Sequence, residues 1–153
     1  MEDPDLQIRR RNLPHWTLTN SVYFVTFRLA SGTLSVAERA LVLNHIKSGH
    51  GKFYSLAAAV VMPDHVHLLI QPIAGYTLSR VMKGIKGVSA RLVNECRGSH
   101  GPIWQDESWD RIVRDPQEFK EKLRYIQENP FKKELATSED GYDALYVDPA
   151  FAC

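Results

Sequence analysis

The chain has 153 residues, 44% of them hydrophobic, and a formal net charge of +1. That length suits one domain with a real core. No apolar run nears the ~20 residues of a membrane helix, and the start Met1-Glu2-Asp3-Pro4-Asp5 is too acidic for a secretory signal. Two cysteines, Cys96 and Cys153, give neither a disulfide framework nor zinc spacing, so a reducing cytoplasm is expected. The balanced charge excludes little, but its distribution is uneven. Arg9, Arg10 and Arg11 form one basic cluster. Arg80, Lys83, Lys86, Arg91 and Arg97 form another, with Glu95 as its one acid. Each is either a solvated face or a set of phosphate contacts.

In chain order, residues 1–20 read as a basic N-terminal arm, broken by Pro4 and Pro14. Ser21 to Leu29 is rich in Val, Tyr, Phe and Thr and reads as strand, with Val22, Phe24, Thr26 and Arg28 on one face. Ser35 with Glu38 is a capping box before the helical spacing Ala40, Leu41, Leu43, Ile46. Phe53 to Met62 and His65 to Gln71 read as strands joined through Pro63-Asp64. Leu78 to Cys96 is a helix capped by Thr77. Gly84 and Gly87 inside it cost about 1 kcal/mol each relative to Ala, which points to close approach of the helix to the sheet first, and to a DNA backbone second. Ile103 to Val113 holds one short strand. Asp115-Pro116 opens a last helix, expected to stop at Asn129-Pro130. Residues 21–135 make the core of a single domain, 1–153, and 136–153 are a weakly patterned tail. The order strand, helix, strand, strand, helix, strand, helix predicts a ferredoxin-like α+β sandwich. Its antiparallel sheet has helices on one face and the other face free for a ligand, with the histidine strand central.

The run Val60-Val61-Met62-Pro63-Asp64-His65-Val66-His67-Leu68-Leu69-Ile70 carries the chemistry. Side chains alternate along a strand, so His65 and His67 share a face while Val66 and Leu68 face the core. Two adjacent imidazoles are half a metal site, or two polar residues on a solvated face. On the last helix Tyr125 and Asn129 lie four apart and share a face. A packing tyrosine and an ordinary helix stop would look the same. Together, the histidines and the Asn129 carbonyl suit a divalent cation such as Mg²⁺ or Mn²⁺, with positions left for phosphate oxygens. A phenol of pKa ~10 is a poor nucleophile at neutral pH. A cation that polarises a phosphodiester makes its attack feasible, with a covalent phosphotyrosine as product.

The blocks VMPDHVHLLI, IKGVSARLVN, GPIWQDESWDR and YIQENP, with RRNLPHW and YFVTFRLA ahead of them, resemble the single-tyrosine HUH transposases. The branch they fit is the REP-associated tyrosine transposases, over roughly residues 9–135. The resemblance implies that His65 and His67 hold the metal, Asn129 is its third ligand, and Tyr125 attacks DNA and keeps the 5′-phosphate. It places Lys83 and Lys86 on a helix that touches DNA, and implies single-stranded DNA with a hairpin as partner, no membrane, and a monomer or homodimer. Asp64 stands where many members have Asn. Tyr142-Asp143-Ala144-Leu145-Tyr146 stands where a Trp-Ser-Ser motif is common, so the C-terminal part of DNA recognition differs. Trp104, Trp109 and Tyr76 are candidate platforms for unpaired bases.

Two other readings stand beside this one. A binding module on the same fold would hold hairpin DNA or RNA without cutting it, but would want aromatics where the third strand shows histidines. A zinc hydrolase would need further ligands, and His15, His45, His50 and His100 lack ligand spacing.

Overall fold

The computed structural model describes residues 21–135 and 141–151. The expected arm, with Arg9, Arg10 and Arg11, lies outside the described residues. The elements run β1 (Tyr23–Leu29), α1 (Val36–Ser48), β2 (Tyr54–Val61), β3 (His65–Pro72), α2 (Leu78–Arg97), β4 (Trp104–Ile112), α3 (Pro116–Lys132) and β5 (Leu145–Val147). The strands form one sheet in the order β4-β1-β3-β2-β5, and every pairing is antiparallel. Apart from β5 and α3, this is the ferredoxin-like pattern, with the histidine strand β3 in the centre.

Local signals set the ends of the helices. Ser35 accepts from the Glu38 N–H while Glu38 accepts from the Ser35 N–H, closing the capping box of α1. Thr77 caps α2 through the Arg80 N–H. Gly98, at φ +67°, supplies the left-handed residue that ends it. The two helices are also tied to each other, because the partly solvated Arg97 guanidinium donates to both oxygens of the buried Glu38 carboxylate, at 2.6 and 3.2 Å.

The sheet is buried on both sides. Val25 and Phe27 of β1 and Val66, Leu68 and Ile70 of β3 pack under α1 and α2, against Val42, Ile46, Val81 and Ile85. On the other face Phe24, Ala58, Val60 and Leu69 meet Ile126 of α3, with Phe119 and Leu123 at the edge of the cluster. The expectation of helices on one face therefore holds for α1 and α2 and fails for α3. The histidine face also carries Leu69, Ala57, Ala58 and Val60, an apolar patch that must leave water. The Phe119, Leu123, Ile126 stripe of α3 covers it.

Three further departures have local causes. Helix α3 runs through Pro130 to Lys132 rather than stopping before it. A proline in the last turn removes one hydrogen bond, and the Lys133 and Leu135 N–H groups still bond to Asn129 and Pro130. Strand β4 has nine residues, of which Trp104 alone is buried. Polar side chains hide it from a pattern search, while its ladder to β1 makes it strand. In the segment read as a tail, β5 pairs with β2. There the Val61 N–H donates to Ala144 and the Tyr142 hydroxyl donates to the Val61 carbonyl.

Candidate active site at the histidine strand

The start of β3 is fixed by backbone bonds before any side chain is considered. The Met62 N–H donates to the His65 carbonyl, the Leu34 N–H to that of Pro63, and the Leu29 N–H to that of Asp64. From there period-two alternation turns His65 and His67 to the α3 face, with ring centroids 4.7 Å apart. The register places Thr26 of β1 directly opposite His67 and Arg28 opposite His65.

His67 is buried. Its Nδ1 lies 2.8 Å from the Thr26 hydroxyl, and its ring stacks on Phe24 at 5.4 Å and 16°. Burial above all, with the neighbouring His65, Arg28, Lys133 and Lys122 acting in the same direction, pushes its pKa down to about 3. The ring is therefore neutral at physiological pH, as a metal ligand must be. Its Nε2 has no hydrogen-bond partner. His65 is more open, and its Nδ1 lies 2.6 Å from an Asp64 carboxylate oxygen. That contact, foremost, holds the Asp64 carboxyl below its usual range.

Helix α3 brings the phenol. The Tyr125 and His67 ring centroids are 5.2 Å apart, and Tyr125 also meets Phe24 in a T-shaped pair at 5.9 Å. Tyr125 is 46% exposed, so its hydroxyl is within reach of a ligand. Asn129, one turn further on, is buried, and its Nδ2 also lacks a partner. It lies between Tyr125, which touches His67, and Lys133, whose charge acts on His67. A buried amide left unbonded costs about 1–3 kcal/mol. Turned end for end, the same amide offers its carbonyl oxygen as an acceptor. Two orphaned polar atoms, on His67 of the strand and Asn129 of the helix, are thus of a kind that a cation would satisfy. Among the described residues no three His, Cys, Asp or Glu converge on a metal.

Beside the rings opens a cleft of about 690 Å³ lined by Phe24, Thr26, Arg28, His67, Glu107, Trp109, Lys122 and Tyr125, among others. Lys122 holds its ammonium 4.9 Å from the Phe24 ring centre, and Trp109 meets the same ring edge-on at 6.0 Å. Phe24, Thr26, Arg28 and Lys122 were not singled out from the sequence as site residues. The first three lie on β1, on the same sheet face as the histidines, and Lys122 is three residues before Tyr125. Pairing β1 with β3 and reading one turn back along α3 finds all four.

Lys83 and Lys86 lie elsewhere. Both line a separate groove between α2 and β4. Lys86 donates to the Gln105 and Asp106 carbonyls and to the Ser108 hydroxyl, so it anchors the start of β4. Trp104 is a core residue rather than a platform, bonded through Nε1 to Ser89 and packed on Phe27. Tyr76 packs against Phe53 and Arg80 near α2, away from the histidines. Of the three aromatics, Trp109 alone lines the cleft, and it is 55% exposed. A Cβ at Gly84 or Gly87 would meet nothing within 4 Å, so tight packing does not explain either glycine, and no other reason is visible.

The family model described as "Transposase IS200 like" matches residues 36–129. A Haemophilus influenzae protein with the provisional name REP-associated tyrosine transposase is 28% identical over 126 residues, covering 72% of this chain and 70% of that one. The solved structure of a REP-associated tyrosine transposase bound to a REP hairpin superposes with a TM-score of 0.63 at 22% identity, over 80% of this chain and 73% of the other. A provisionally assigned transposase from Deinococcus radiodurans R1 gives a TM-score of 0.51 at 21% identity, over 73% of this chain and 92% of its own. At those identities the two structures establish a shared fold.

Proposed function

Because this chain belongs to the IS200-like transposase family, we propose that it cuts and rejoins single-stranded DNA beside a hairpin through a covalent bond to Tyr125. The observation that carries the reading is the Tyr125–His67 contact, which sets a nucleophile against a strand with an orphaned ring nitrogen. The Tyr125 oxygen attacks the phosphorus and gives up its proton. The bond to the 3′-oxygen breaks, that oxygen gains a proton, and the 5′-phosphate stays on the tyrosine. One phosphodiester replaces another, so a later 3′-hydroxyl can displace the tyrosine and reseal a strand.

Mg²⁺ or Mn²⁺ bound by His65, His67 and the Asn129 carbonyl would polarise the phosphate and ease departure of the leaving oxygen. The chain's own residues hold the strand. Arg28 and Lys122 offer positive charge at the cleft wall, and Trp109 offers a face on which an unpaired base can stack. Lys83, and the arginines Arg9, Arg10 and Arg11, are candidates for phosphates farther along the DNA. Lys86 would have to leave its bonds to β4 to join them. The REP hairpin held by the structural relative gives the class of DNA to try first.

A labelled single-stranded DNA carrying a hairpin, mixed with protein and Mg²⁺ or Mn²⁺, tests this on a denaturing gel. The expected result is a labelled band at the combined mass, absent from Tyr125→Phe. An adduct that survives in Tyr125→Phe moves the nucleophile elsewhere. Native complexes with no adduct, across many hairpins and both metals, favour the non-cleaving binding module.

A further inference from the structure

We propose that Thr26 and Phe24 of β1 form a seat that sets the tautomer and the orientation of His67, so that its Nε2 lone pair faces the cation. The proposal rests on the metal reading above and adds two positioning residues to it. Neither lies within the span matched by the family model, which begins at residue 36.

The sheet builds the seat. Thr26 and His67 are cross-strand partners, and such pairs hold their Cβ atoms about 4.5–5.5 Å apart on one face. That spacing lets a short hydroxyl reach the near edge of the ring, as the 2.8 Å contact to Nδ1 records. Phe24, two residues back on the same face, lies flat against the ring at 5.4 Å. One neighbour fixes the ring plane, and the other fixes which edge points inward.

The proton position follows from what the far edge lacks. A hydroxyl can donate or accept. Were Thr26 the donor, the proton would sit on Nε2, a buried N–H with no acceptor. With Thr26 as acceptor, Nδ1 carries the proton and Nε2 presents a lone pair, which a cation can satisfy. His65 is set the same way by another device. An ionised Asp64 carboxylate can only accept, so the 2.6 Å contact puts the His65 proton on Nδ1. Two acceptors of different chemistry, a hydroxyl and a carboxylate, thus engage the Nδ1 edges of both rings and leave the Nε2 edges for a cation. Such outer partners orient metal-binding histidines, and losing one typically costs 10–100-fold in affinity.

The test has one spectroscopic and one thermodynamic part. Long-range ¹H–¹⁵N correlation of the metal-free protein should show His67 protonated on Nδ1 and bare at Nε2. Thr26→Val should give a mixture of tautomers and bind Mn²⁺ about 10–100-fold more weakly by calorimetry. Thr26→Ser should restore both. A proton on Nε2 in the wild type overturns the seat, and so does Thr26→Val binding Mn²⁺ as tightly as the wild type. A wild type that binds no Mn²⁺ overturns the metal reading and takes the seat's purpose with it. The wild-type spectrum needs no substitution, so it decides even if Thr26→Val folds poorly.

Discussion

At the scale of residues, the site is a set of rings around one phenyl group. Phe24 carries His67 stacked on its face, Tyr125 and Trp109 at near right angles to it, and the Lys122 ammonium near its ring. The histidine pair was legible because period two is the one certainty about a strand, and the pair needs nothing beyond it. Thr26 was not legible as a partner until β1 lay beside β3 in a definite register. Trp104 and Trp109 look alike in sequence, and strand alternation cannot say which side is roofed. One became core and the other an exposed ring at 55%. Trp109→Ala should weaken binding of an unpaired strand by about 1–3 kcal/mol, the worth of one stacked base, while Mn²⁺ affinity stays unchanged. Fluorescence anisotropy with a labelled single strand measures the first and calorimetry the second. Equal loss for a fully paired duplex would show that Trp109 is not a base platform.

Among the elements, the ends of the helices were readable where one side chain bonds to a nearby N–H. The Ser35–Glu38 box and the Asp115–Pro116 start needed no partner from elsewhere. What sequence could not show is a second task for the same group. Glu38 closes the cap of α1 and also receives Arg97 from the far end of α2. Arg97→Ala leaves a buried carboxylate with its cap bonds alone and should cost about 1–3 kcal/mol in urea unfolding, since Arg97 is partly solvated. The pair also sets a pH dependence. Arg97 holds the Glu38 carboxyl below its ordinary value of 4.5 in the folded protein. Its contribution is therefore full above about pH 4.5 and drains as pH falls through the lower folded value. Arg97→Ala should lose stability less steeply over that acid range than the wild type. Helix α3 marks the limit of such reading. Its start was plain, but the face of the sheet it covers depends on where the other apolar side chains went.

For the molecule as a whole, the sheet is a partition between two cores, and the C-terminal segment ties them together. Tyr142 packs against both clusters and donates its hydroxyl to β2. The sequence showed no pattern there because three residues of strand are too few to have a period. Tyr142→Ala removes packing from both sides at once and should cost about 2–4 kcal/mol, read as a lower urea midpoint. A loss under about 1 kcal/mol, the usual size of surface changes, would mean that β5 is an ornament on the edge of the sheet.

Helix α3 does more than deliver a tyrosine, since it also sets a ceiling. With the histidine face roofed from the β2 side, a gap among the described residues opens beside β4, where Trp109 and Arg28 stand. That gap, about 690 Å³, falls in the range of pockets that admit one small molecule, ~300–1,000 Å³. Under the proposed function, a gap of that size would take a nucleotide or two with the bases splayed apart, so an unpaired strand is the guest expected at Tyr125. Discrimination between paired and unpaired DNA would then come from clearance alone, before any base edge is read.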